Sequence, residues 1–374
     1  MRVLGVALAF AFAALAFAGC LESEPAATAA ANLDPAAFKV PEVPKVDAKD
    51  LLADHATFVR AHPDREGNKP DHEAARADLL AHFESYGLTP YRFNFSTERL
   101  ANQADILGIK WGADREHWVF VGGHYDIVNN PSCTPNTPAG PLPSPPVTCP
   151  VRTQGAYDDG SGTFLTVHLA KAFANVSTYY TIAFTAYDGE ELGIQGAKAI
   201  VEAVQEGNLT VDGVTPTIVG DLDLDMLGIN WPGTMAPVNL LTNSEAAAKV
   251  VMDAAGKIGF PSGQVVRKDG LKAGSSDYAA FWSVKDSPIP TVFFISDFEE
   301  LGAPDPLPDS AHTPTTPAGL YPFWHREDTV ETMTDMAGGA SQLQAGFQSA
   351  ADLGAAVVHA LACQPTLHFD AVAK

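Results

Sequence analysis

At 374 residues, with 46% hydrophobic and 18% charged residues, the chain has the composition of a globular protein long enough to bury a large core. Its formal net charge of −22 argues against a nucleic-acid partner, whose phosphates such a surface repels, and against electrostatic docking on anionic lipid.

The first element is the leader, "MRVLGVALAFAFAALAFAGC". One Arg, an apolar run and small residues before Cys20 predict a secretory signal, and "AFAGC" resembles a lipobox in which the Cys carries lipid. Phe17 stands where that pattern usually has Leu. The mature chain is expected outside the cytoplasm, anchored through Cys20 or else secreted, with no other membrane contact. Residues 21–45, rich in Ala, Pro and Glu, read as a flexible tether, followed by one domain over 46–374.

Within that domain helical and strand patterns alternate. "PDHEAARADLLAHFESYGL" (70–88) spaces its apolar residues as a helix does and stops at Gly87, and "HWVFVGGHYDIV" (117–128) reads as a buried strand. Cys133 and Cys149 flank a Pro-rich loop and, in an oxidising compartment, are expected to close it as a disulfide. Helices are predicted over 161–175, 196–207, 243–260 and 338–362, and strands over 179–187, 217–228 and 289–296. Cys363 is expected to be a buried thiol. This alternation predicts a single α/β domain, a three-layer αβα sandwich around a mainly parallel mixed sheet. Ligands in such sheets collect beyond the carboxyl ends of the strands.

Polar residues stand at those ends. "VFVGGHYD" delivers His124 and Asp126, "GAYDDGSG" Asp158 and Asp159, "FTAYDGEELG" Glu190 and Glu191, and "LDLDMLG" Asp225. Each alone has a plain explanation as a cap, an Asx-turn or a solvated residue. Together they gather five or more negative charges at one sheet edge, where repulsion costs several kcal/mol at reduced dielectric. Bound cations remove that cost. Imidazole and carboxylate without thiolate suit Zn²⁺ ahead of Mn²⁺ or Co²⁺, and the surplus of carboxylates points to two ions with a bridging ligand.

The motifs "GGHYD", "GAYDDGSG", "AYDGEELG" and "DLDM", in that order, resemble the zinc exopeptidase family of bacterial leucyl aminopeptidase and vacuolar aminopeptidase Y. The resemblance covers about residues 46–355. It implies that His124, Asp158, Glu191 and Asp225 are zinc ligands, with Asp158 bridging, that Asp126 orients His124, and that Glu190 is the general base. A late His ligand is also implied. His325, in "YPFWHREDTVETM", is preferred to His312 because an aromatic lead and a following Asp-Thr-x-Glu reproduce more of the family's pattern, although one residue short of its usual spacing. Asp188 is left as a surface cap.

In "LKAGSSDYAAFW", Asp277 matches the family's Ser-Asp-His motif and Tyr278 replaces the His, so both are expected near substrate, with a core position for Tyr278 as the alternative. The implied activity is removal of N-terminal residues from peptides with a free amine, by a protein expected to be a monomer. The rival readings are a glutaminyl cyclase-like enzyme, a carboxypeptidase of the same family, and an inactive surface binding module.

Overall fold

The runs of Val, Ile, Phe and Tyr that stand out as strands form the middle of one eight-stranded sheet. The computed structural model describes residues 35–67, 69–98, 101–128, 153–230, 238–261, 263–267, 276–285, 288–296, 321, 323, 325 and 327–365. The leader with Cys20, most of the tether, Cys133, Cys149 and His312 lie outside the described residues. In chain order the elements are α1 (Ala48–Ala61), α2 (Pro70–Ser85), β1 (Thr89–Phe95), β2 (Gln103–Lys110), β3 (Asp114–His124) and α3 (Gly160–Phe173). There follow β4 (Tyr180–Tyr187), α4 (Gln195–Gln205), β5 (Thr217–Asp225), β6 (Val238–Thr242) and α5 (Glu245–Lys257). The last are β7 (Val265–Arg267), α6 (Tyr278–Trp282), β8 (Thr291–Ile295), α7 (Val330–Met336) and α8 (Ala340–Cys363).

The strand order is β1-β2-β4-β3-β5-β8-β6-β7. β4, β3, β5 and β8 run parallel and form the centre, whereas β2 joins β4 antiparallel and β6 joins β8 antiparallel. The expectation of a mainly parallel mixed sheet therefore holds for the centre, and both flanks reverse direction. The central strands are mostly buried because helices cover both faces, and β5 carries Asp221 and Asp223 into that interior as well as Asp225 at its end. α3 lies across β3, β4 and β5 with α1, α2 and α8 beside it, while α4 and α6 pack together against β2, β5 and β8. α3 comes this close because Gly162 lacks a side chain: a Cβ there would stand 1.9 Å from the Leu224 carbonyl oxygen.

Helix starts follow ordinary capping chemistry. Asp47 accepts from the amides of Lys49 and Asp50, Ser244 caps α5, and Thr329 forms a reciprocal box with Thr332 at α7. The folded chain begins upstream of residue 46, because part of the expected tether is docked. The Phe38 ring packs edge-on against Tyr179 at 5.6 Å, and His359 Nε2 lies 2.8 Å from the Pro41 carbonyl oxygen. Cys363 is a buried free thiol, and burial pushes it up to about 12.

Asp188 corrects its reading as a surface cap. It is fully buried, with one oxygen 2.8 Å from His72 Nε2 and the other accepting from Arg76 Nη2 at 2.6 Å and from the Ala104 amide. This pair ties α2 to the loop after β4. Removing one partner strands a charge in the core. Arg76→Met is expected to cost about 3–5 kcal/mol, read as a lower urea midpoint at unchanged slope; a loss below about 1 kcal/mol would show the pair to be energetically idle.

Candidate metal centre

β3, β4 and β5 end side by side, so His124, the 188–191 turn and Asp225 meet at one edge of the sheet. The loop before α3 brings in Asp158, and the segment before α7 brings in His325. His124 Nε2 lies 3.1 Å from Asp158 Oδ1 and 3.9 Å from Asp225 Oδ1. His325 Nε2 lies 3.1 Å from Asp158 Oδ2 and 3.0 Å from Glu191 Oε2. Two ligand groups thus share one carboxylate: His124, Asp158 and Asp225 form the first, and Asp158, Glu191 and His325 the second, each with donor atoms within 4.8 Å of one another. Glu190 Oε2 stands 3.9 Å from His124 Nε2, beside the first group.

The residues fit a pair of divalent ions. Donors are imidazole nitrogens and carboxylate oxygens without thiolate, the set that suits zinc. Asp225 Oδ1 is buried without a hydrogen-bond partner, and among the described residues no Lys or Arg pairs with Asp158, Glu190, Glu191 or Asp225. The side chains of His325 and Glu190 are 23% and 13% exposed against 6% or less for the other ligands, so the centre opens to solvent along these two.

Main-chain contacts hold this geometry. His124 Nδ1 faces Asp126, 3.2 Å from its carbonyl oxygen and 3.5 Å from its carboxylate, which leaves Nε2 to face the ligand groups. The Asp126 carboxylate also accepts from the amides of Glu190 and Glu191, at 3.1 and 3.3 Å, and so sets the turn carrying both glutamates. Asp159, after a cis peptide bond, accepts from the amides of Gly162 and Met226 and joins α3 to the end of β5.

Asp328, to which the sequence reading assigned no role, accepts from the amides of Tyr157 and Asp158 and from the Tyr321 hydroxyl. Its signal lay in the Asp-Thr-x-Glu tail that favoured His325. His325 itself is held at φ +60°, a left-handed backbone that costs a non-glycine residue about 1–3 kcal/mol. Asp277 and Tyr278 are fully buried. The Tyr278 ring stacks on Phe293 at 4.5 Å and its amide donates to Asp223, which is the core position.

Burial and charge set the protonation pattern of the metal-free centre. Burial would lower both histidines, but Asp126 and Asp158 lift His124 well above its usual value, and Asp158 and Glu191 lift His325 to about 10. Burial pushes Glu190 well above the carboxylate range, Glu191 to about 7 and Asp225 to about 6. Asp158 is buried too, yet hydrogen bonds from His124 and His325 hold it below that range.

The family model described as Peptidase family M28 matches residues 106–338. Aminopeptidase YwaD of Bacillus subtilis is 30% identical over 181 residues, 47% of this chain and 32% of that protein. The chain thus spans about a third of that relative's length, and no larger share of the fungal probable zinc metalloproteases it also matches. Among solved structures, BSAP, a zinc aminopeptidase from Bacillus subtilis, aligns with a TM-score of 0.61 at 17% identity, covering 87% of this chain and 97% of that one. A glutaminyl cyclase from Fimbriiglobus ruber aligns with a TM-score of 0.60 at 16% identity, covering 86% and 98%. Both show the fold.

The raised groups give a pH dependence of known sign. Folded Asp225, Glu191 and His325 titrate near 6, 7 and 10, above unfolded values of about 4, 4 and 6.5. The folded centre keeps protons the unfolded chain has released, so metal-free stability should fall as pH rises from about 4 to about 10. Zinc takes the place of those protons, so the stabilisation it adds should grow with pH. Thermal melts at pH 5.5 and 8.5, with EDTA and with zinc, test this; a metal-free midpoint that rises over the interval contradicts it.

Proposed function

Because the chain belongs to peptidase family M28, we propose that it is a zinc-dependent aminopeptidase acting outside the cytoplasm, with one ion held by His124, Asp158 and Asp225 and a second by Asp158, Glu191 and His325. The observation that carries this reading is the sharing of Asp158 between two ligand groups with Glu190 beside the first. Bound zinc supplies Lewis acidity, polarising a carbonyl and lowering the pKa of water toward about 7.

The chain's own residues do the rest. Glu190, partly open to solvent and with its amide fixed by Asp126, accepts the proton of the attacking water and delivers it to the departing amine. His325, on the same open side, borders the path by which a peptide end enters. The acid-rich centre suits a free ammonium at the substrate's N-terminus. A terminal carboxylate would need a cation, and among the described residues no Lys or Arg forms an ion pair with the ligand carboxylates, which favours an aminopeptidase over a carboxypeptidase.

The glutaminyl cyclase reading has the fold likeness behind it, but two ligand groups rather than one favour hydrolysis. The leader and Cys20 support export and lipid anchoring.

Glu190→Gln should retain the wild-type metal content and lower kcat by about 10²–10⁴-fold; turnover at the wild-type rate would remove Glu190 from the mechanism. Peptides with free and acetylated N-termini, assayed beside a Gln-initiated peptide, separate the readings. Cleavage of the free peptide alone is expected. Equal cleavage of both excludes an aminopeptidase, and cyclisation without cleavage replaces it with a cyclase. Cys20→Ser should move activity from the membrane to the soluble fraction, and an unchanged distribution would exclude anchoring through that thiol.

A further inference from the structure

Arg65 is fully buried beside the metal centre, yet among the described residues it pairs with none of the carboxylates. Every hydrogen bond it donates goes to a main-chain carbonyl. Nε reaches Tyr125 at 2.5 Å, Nη2 reaches Gly155 at 2.7 Å, and Nη1 reaches Gln154 and, at 3.3 Å, His62. Tyr125 lies between His124 and Asp126, and Gln154 and Gly155 lead into Asp158. The planar guanidinium therefore joins the loop that carries the first histidine to the loop that carries the bridging carboxylate.

The surroundings are shaped to receive it. Gly155 adopts φ +54°, and a Cβ there would stand 2.7 Å from Arg65 Nη2 and 2.3 Å from Ile127. Burial draws the guanidinium down against the opposing pull of Asp328, Asp126, Asp159 and Asp158, leaving it at about 10, so it stays charged at neutral pH. A buried Arg usually takes a carboxylate in its fork. By taking carbonyls instead, this one leaves Asp126 to the amides of Glu190 and Glu191 and Asp158 to His124 and His325, while its charge offsets part of the carboxylates' repulsion.

We infer that Arg65 is a positioning residue for the metal pair: its fork, spanning carbonyls of both loops, fixes the spacing of His124 and Asp158 on which ion binding depends. The inference rests on the reading of this site as a metal centre. A neutral side chain would leave buried carbonyls unpaired and the two loops free to part. A Lys would keep the charge but bond from a single nitrogen and could not span them.

The test is chelator competition for zinc, and the visible spectrum of the cobalt-loaded protein, in wild type, Arg65→Met and Arg65→Lys, with folding followed by circular dichroism. Leu361→Ala, a core truncation in α8, serves as a control for general destabilisation. Arg65→Met should bind zinc about 10–100-fold more weakly, Arg65→Lys should fall between it and wild type, both cobalt spectra should shift, and Leu361→Ala should bind as wild type does. A folded Arg65→Met with wild-type affinity and spectrum overturns the inference. If Arg65→Met fails to fold, Arg65→Lys decides, and wild-type behaviour there overturns it equally. Wild type that binds no zinc takes down the metal-centre reading and the inference with it, a result seen before any substitution is made.

Discussion

The architecture of the centre depends on one carboxylate facing two imidazoles. Asp158 presents Oδ1 to His124 and Oδ2 to His325, so its main chain must be fixed in both position and direction. Asp328 holds the amides of Tyr157 and Asp158 from one side, and Asp159 ties the next turn to α3 and β5 from the other. Loosen that short loop and the two ligand groups no longer share a member. The acids at the ends of β4 and β5 would then repel one another with nothing common between them.

A single device recurs around this loop. Asp126, Asp159, Asp328 and Asp105 each take main-chain amides with a buried carboxylate: those of Glu190 and Glu191, of Gly162 and Met226, of Tyr157 and Asp158, and of Asp188. Burial pushes Asp105, Asp159 and Asp328 above the usual carboxylate range, so these bonds count as ordinary ones of about 0.5–1.5 kcal/mol each. They give loops the definition that helices and strands obtain from their own ladders. Part of the chain's excess of acid is therefore structural, spent inside the protein and not on a solvated face.

Much of this was legible in the sequence because an apolar run that stops on His, Asp or Glu marks both a buried strand and its exit. β3, β4, β5 and β8 and the helices α2, α3, α4, α5 and α8 stand within a few residues of their predicted positions, whereas α1 was not anticipated. The half-exposed edge strand β1 and its buried neighbour β2, whose apolar residues are interrupted by Asp105 and Gly108, gave no comparable signal. Side-chain partners were the hidden part. Asp188 after a strand reads the same whether water or Arg76 meets it, and the two are 112 residues apart. Arg65 lies in a turn without periodicity, and its acceptors are carbonyls, which carry no residue identity. Tyr278 was ambiguous between substrate and core because its ring suits both, and only its packing on Phe293 distinguishes them.

The bond from the Asp158 amide to Asp328 spans 170 positions of the chain. Closing so long a loop is entropically slow, and it cannot begin until the distal partner has been synthesised. The ligand group completed by His325 therefore assembles after the one built from His124, Asp158 and Asp225, all of which precede it in the chain. A nascent chain halted anywhere before that segment carries only one of the two histidines, so the second ligand group cannot form until residue 325 has emerged.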